Sequence, residues 1–111
     1  MVMLNIKFSH NWNNKLSGSV FTTIRGSTQS KLEYYNENKG RLFDVRLKGF
    51  SMGKAALINL QQHKLSSLPA GLLMVDTGKD SLAGAMSVFG NFGLKSYSQV
   101  LVLTFAMEKH F

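Results

Sequence analysis

The sequence predicts a single α+β domain whose five or six strands curl into a small β-barrel, with two or three helices outside it. Three observations carry that expectation. Five segments show the alternation or continuous apolar character of strands. Two segments in the second half instead carry helical spacing between a capping residue and a glycine. The chain has 111 residues, 44% apolar and 17% charged, which is enough for one core and argues against global disorder.

The elements follow in order. "MLNIKF" alternates Leu4, Ile6 and Phe8 against Asn5 and Lys7, so a strand is expected over 2–8. Ser9 reads as the N-cap of a short helix with Trp12 and Leu16 on one face, ended by Gly18. "SVFTTIR" gives a strand over 20–25 with Val20, Thr22 and Ile24 on one face and Phe21, Thr23 and Arg25 on the other. The first of these faces is the one expected to meet the core. "GSTQSKLEYYNENKG" is polar and turn-rich, so it reads as a mobile loop carrying Tyr34 and Tyr35.

"RLFDVRLKGF" predicts a strand over 41–48, setting Leu42, Asp44 and Arg46 against Phe43, Val45 and Leu47. Another strand, opened by Gly53, is expected over 53–60. Ser67 and Pro69 then start a helix with Leu68, Leu72 and Val75 on one face, stopped at Gly78. Asp80 or Ser81 opens the next, which closes at Gly90 with Leu82, Met86 and Phe89 as its buried stripe. "SQVLVLTFAME" is apolar enough to be a central strand over 99–107.

Charge narrows the function. The net charge is +7, and the whole excess lies in residues 1–64, which hold ten basic and three acidic residues. Such clustering fits either a solubilising surface or a face that gains affinity by displacing counterions from phosphates. Cysteine is absent, which excludes disulfides, thiolate nucleophiles and thiolate metal sites. His10, His63 and His110 have no ligand spacing, and no Gly-rich phosphate loop occurs, so neither a metal nor a cofactor is expected. No basic-then-apolar leader pattern and no apolar run near 18 residues appear. A cytoplasmic protein with no membrane partner is the expectation.

The stretch "SGSVFTTIRG" carries the functional question. Thr23 and Arg25 share a strand face just before a glycine break. A guanidinium so placed could grip a phosphate, meet a base edge or stack on a ring, or it could simply keep an edge strand soluble.

The helix, glycine, strand and terminal arginine resemble the ASCH domains of the PUA-like superfamily, whose hallmark is Gly-x-Lys-x-x-Glu-or-Thr-x-Arg. The matching positions here are Gly18, Val20, Thr23 and Arg25. The resemblance continues through "GKAALINLQQHKLSSLPAGLLMVDTG" to the closing strand and covers nearly the whole chain in element order. It implies a PUA-like barrel with a cleft beside the motif strand, binding RNA or a nucleotide. Some members act as amidohydrolases on N4-acetylcytidine through a Lys, a Thr and a Glu.

Carried over, Thr23 matches the threonine, Arg25 the arginine, and Asp76 is the nearest candidate for the acid. Val20 stands where the lysine should be, and valine can neither take a proton nor activate a nucleophile. Lys15, Lys54 or Lys79 would have to substitute. The leading expectation is therefore an RNA- or nucleotide-binding module with Arg25, Thr23, Tyr34, Tyr35, Lys15 and Lys54 around its ligand. The rival is a divergent amidohydrolase or ribonuclease using Thr23 and Asp76, and a third reading is a protein-interaction module using the polar loop.

Overall fold

The computed structural model describes residues 4–8 and 19–108. Within them β1 (Leu4–Phe8), β2 (Val20–Gly26), β3 (Leu42–Leu47), β4 (Phe50–Lys64) and β5 (Gln99–Met107) form one mixed sheet in the order β1-β3-β4-β5-β2. β1 pairs with β3 in parallel and every other neighbour is antiparallel. Three helices complete the domain: α1 (Gln29–Glu37), α2 (Ala70–Thr77) and α3 (Leu82–Asn91). The five expected strands are present. The helix expected over residues 9–17, with Trp12, Leu16 and Lys15, lies outside the described residues.

Side-chain alternation sorts the sheet into two covered faces. On one face Ile6, Phe21, Phe43, Val45, Leu57, Leu101, Leu103 and Phe105 are all buried together. Their rings interlock: Phe21 stacks on Phe105 at 5.4 Å, and Phe43 meets Phe105 edge-on at 5.3 Å. Ile24, Val100 and Val102 point to the other face, where Leu73 of α2 and Ala85 and Phe89 of α3 cover them. β2 is therefore buried on both sides at its centre. Val20, expected to face the core, is 56% exposed, and Phe21 is buried in its place.

Two irregularities keep this sorting intact. The turn at Lys48–Gly49 joins Leu47 to its partner Phe50, and both turn residues have positive φ (51° and 87°). That is the backbone of a two-residue hairpin whose twist matches the strands it connects. In β4 the register shifts between Leu57 and Asn59, so Leu57 faces Phe105 while Leu60 faces Leu103. Ile58 is pushed to the surface by the extra residue.

The expected loop over 26–40 is instead largely α1. Thr28 caps it, accepting from the Lys31 amide at 3.2 Å, and the Gln29 side chain donates to Glu33 one turn on. Asn38 closes it by donating from its side chain to the Tyr34 carbonyl. Polar composition hid this helix because few of its residues, Leu32 and Tyr35 foremost, pack against the core, and tertiary contact rather than propensity holds it.

The other helices differ in which residues they bury. α3 is capped by Ser81, as expected, and of its expected stripe Phe89 is buried and Met86 packs beside it, while Leu82 is 48% exposed and Ala85 is buried instead. In α2 Leu73, Asp76 and Thr77 are buried and Val75 is exposed. Gly78 ends α2 in the left-handed conformation. No helix among the described residues is long and apolar enough to cross a membrane.

The ring cluster sets the first expectation. Replacing Phe43 by Ala should cost about 3–5 kcal/mol, since its fully buried ring contacts Tyr34, Tyr35 and Phe105. Urea unfolding checks this, and a loss below about 1 kcal/mol would contradict the packing described.

Candidate functional site

The strand order leaves β1 and β2 as the two edges of the sheet, yet side chains connect them. Phe8 meets Phe21 edge-on at 5.9 Å. Arg25 projects from β2, its guanidinium 4.7 Å above the Phe8 ring, and its Nη2 donates to the Lys7 carbonyl at 2.9 Å. Its Nε donates to the Thr23 hydroxyl at 3.0 Å. The arginine is thus held from two sides, and its Nη1 makes no hydrogen bond among the described residues.

A cleft of about 780 Å³ follows this seam. Lys7, Phe8, Arg46, Lys48 and Gly49 line it from β1 and the β3–β4 hairpin. Val88, Phe89, Phe92 and Leu94 line it from α3 and the segment that follows. Thr23, Ile24, Arg25 and Gly26 lie between them, with Lys31 from α1 and Asp76 and Thr77 from the end of α2. Gly26 permits a close approach: a Cβ there would sit 3.1 Å from Leu94 Cδ2, which would have to shift by a few tenths of an ångström.

The electrostatics are one-sided. Among the described residues five basic side chains line the cleft against one acid, Asp76, which is buried. Burial lowers the Arg25 pKa from its ordinary value, while Tyr35 and Asp76 pull it back up. A guanidinium keeps its charge through such a shift. Burial also raises the Tyr35 pKa, with Arg25 opposing, so the phenol stays neutral.

Asp44 organises the cationic rim. Its carboxylate accepts from Arg46 Nη1 at 2.8 Å and from the Ser51 hydroxyl, which clamps the two hairpin strands together. Arg46 Nη2 also donates to the Gly49 carbonyl. The Ser51 bond first, and Arg46 and Lys54 in addition, hold the Asp44 pKa below the usual carboxylate range.

Of the residues singled out by sequence, Arg25, Thr23 and Asp76 come together in this cleft. Tyr34 and Tyr35 do not line it. They contact each other at 5.1 Å and cover Phe43, so they serve as packing over the core rather than as platforms in the cleft. Lys54 is exposed on β4 opposite Asp44, and Lys79 is likewise absent from the lining. Lys15 lies outside the described residues.

Val20, matched to the lysine of the resembled motif, faces away from Thr23 because the two are three positions apart in a regular ladder. Among the described residues no three His, Cys, Asp or Glu side chains converge to hold a metal.

Sequence reasoning missed Lys7, Lys31, Arg46, Lys48 and Phe92. The parallel pairing that sets Lys7 opposite Arg46 was invisible, because it joins strands far apart in the chain. "LKGF" did carry a hairpin signal, masked by a lysine where Asn or Asp usually stands. No family model, curated protein or solved structure matches the chain.

The Asp44 clamp has a definite pH signature. Its folded pKa is depressed, so its stabilisation is present above the unfolded value near 3.9 and is lost as pH falls through the folded value. Asp44→Asn should cost about 1–2 kcal/mol at neutral pH and flatten the acid limb of the stability profile. Equal unfolding midpoints for both proteins at pH 7 would contradict the clamp.

Proposed function

We propose that this chain is a cytoplasmic RNA- or nucleotide-binding module of the ASCH, PUA-like kind, and that its cleft around Arg25 is the binding site. In this reading the Arg25 and Phe8–Phe21 contacts close the curled sheet into a five-stranded barrel across the β1–β2 seam. The observation that carries the proposal is the arginine itself. It is half-buried, fixed by Thr23 and Lys7, and set in a concave site where, among the described residues, bases outnumber acids five to one. A pre-positioned guanidinium loses little entropy when it meets a phosphate or a base edge, and fewer competing waters strengthen the contact. The apolar wall beside it offers the flat contact that a nucleobase requires.

The hydrolase reading has one observation in its favour, since Thr23 and Asp76 line the same cleft. Two others oppose it. The Thr23 hydroxyl is bonded to a guanidinium, which cannot accept a proton, and the side chain at position 20 lies on the opposite strand face. Deacetylation of N4-acetylcytidine should therefore be negligible in the wild type, and equally so in Val20→Lys. Robust turnover by either protein would overturn this assignment.

Binding is tested by fluorescence anisotropy with single-stranded RNA over a series of salt concentrations. With about three phosphates neutralised, the logarithm of the association constant should fall with log salt at a slope near −2. Arg25→Ala should weaken binding at least about tenfold at every salt concentration, which is ~1.4 kcal/mol. Arg25→Lys should fail to restore it, because one ammonium cannot span Thr23, the Lys7 carbonyl and a ligand. No detectable binding of the RNA or of a nucleotide at low salt would overturn the proposal.

A further inference from the structure

The cleft is sorted into two poles. At one, Lys7 of β1 stands opposite Arg46 of β3, and the Lys48 amide donates to the Phe8 carbonyl, so three cations gather on one side. At the other, Phe89, Phe92 and Leu94 present an apolar wall, with Phe92 64% exposed at the end of α3. Asp76 enters from α2, the helix packed against α3, and its charge is felt at Arg25. Arg25 bridges the two, rooted in β2 and reaching to Lys7.

The charges at the cationic pole are not used up internally. Arg46 is paired with Asp44, but Lys7, Lys31 and Lys48 make no ion pair among the described residues. One internal phosphodiester brings a single negative charge to such a site. A terminal phosphate monoester brings about −1.5 to −2 at neutral pH, with three acceptor oxygens. The fit in charge and in polarity favours the monoester.

We infer that the cleft recognises a nucleotide through a terminal phosphate, seated among Lys7, Lys48 and Arg25, with its base against Phe92 and Leu94. This rests on the binding-module reading and narrows its ligand to a phosphorylated end. The phosphate could belong to a free nucleotide or to the end of an RNA strand, and the cleft chemistry is the same for both.

The test compares adenosine, its 5′-monophosphate, and one ten-nucleotide RNA bearing a hydroxyl or a phosphate at its 5′ or 3′ end, by titration calorimetry. Lys48→Asn removes a charge while suiting the positive φ of the hairpin turn, and Phe92→Ala alters an exposed side chain. Thermal melts establish that both variants fold.

The terminal phosphate should tighten binding at least tenfold, in the mononucleotide, in the oligonucleotide, or in both. A gain for the mononucleotide alone identifies the free nucleotide as the source, and a gain at one strand end identifies that end. Lys48→Asn should erase most of the gain. Phe92→Ala should weaken phosphorylated and unphosphorylated ligands by the same factor.

Equal affinity for phosphorylated and unphosphorylated ligands would overturn this inference while leaving RNA binding intact. A gain that survives Lys48→Asn unchanged would overturn it too. Failure of the mononucleotide and of every RNA to bind would overturn the binding-module reading along with it.

Discussion

Everything at the β1–β2 seam depends on how one guanidinium is held. Arg25 extends from the last turn of the β2 pleat, lies over Phe8, and donates to Lys7 on the far edge of the sheet. No backbone ladder joins these strands among the described residues, so side chains alone connect the two edges there. A hydrogen-bonded ladder would have filled the gap with main chain. Leaving it to one long side chain and two aromatic rings keeps the sheet curled and leaves room for a cleft.

The surrounding structure serves that geometry. Thr23, buried two residues before Arg25 on the same face, fixes the side chain at its Nε. The aromatic core under Phe21 makes β2 rigid enough to hold both. Across the seam, Asp44 and Ser51 stiffen the β3–β4 hairpin, which carries Arg46 and Lys48 to the rim. α2 and α3 bury the opposite sheet face and in doing so bring Asp76, Phe89 and Phe92 to the other side of the cleft. Core and site therefore share the same strands, with the charges placed where alternation runs out at the ends of β1 and β2.

Local pattern was legible in the sequence, and long-range pairing was not. Alternation and apolar runs located the five strands, and Ser81 and Gly78 marked helix boundaries through capping chemistry that acts within one turn. Thr23 and Arg25 could be assigned to one face for the same reason. α1 was missed because its stability comes from Leu32 and Tyr35 meeting a core built by residues distant in the chain.

That dependence also reversed the reading of β2. With both faces covered, alternation could not say which side was interior, and Phe21 rather than Val20 proved to be inside. Lys7, Lys48 and Phe92 looked like ordinary surface residues until the parallel pairing of β1 with β3 and the packing of α3 made them neighbours.

The central claim is that the seam between β1 and β2 is where ligand binds. Amide chemical-shift mapping during titration with single-stranded RNA at low salt tests it most directly, because it reports location without presuming a mechanism. Shifts should concentrate at residues 7–8, 23–26, 46–49 and 88–94, on both sides of the seam. Shifts confined to the outer surface around Lys39, Arg41 and Lys54, with the seam silent, would contradict the account.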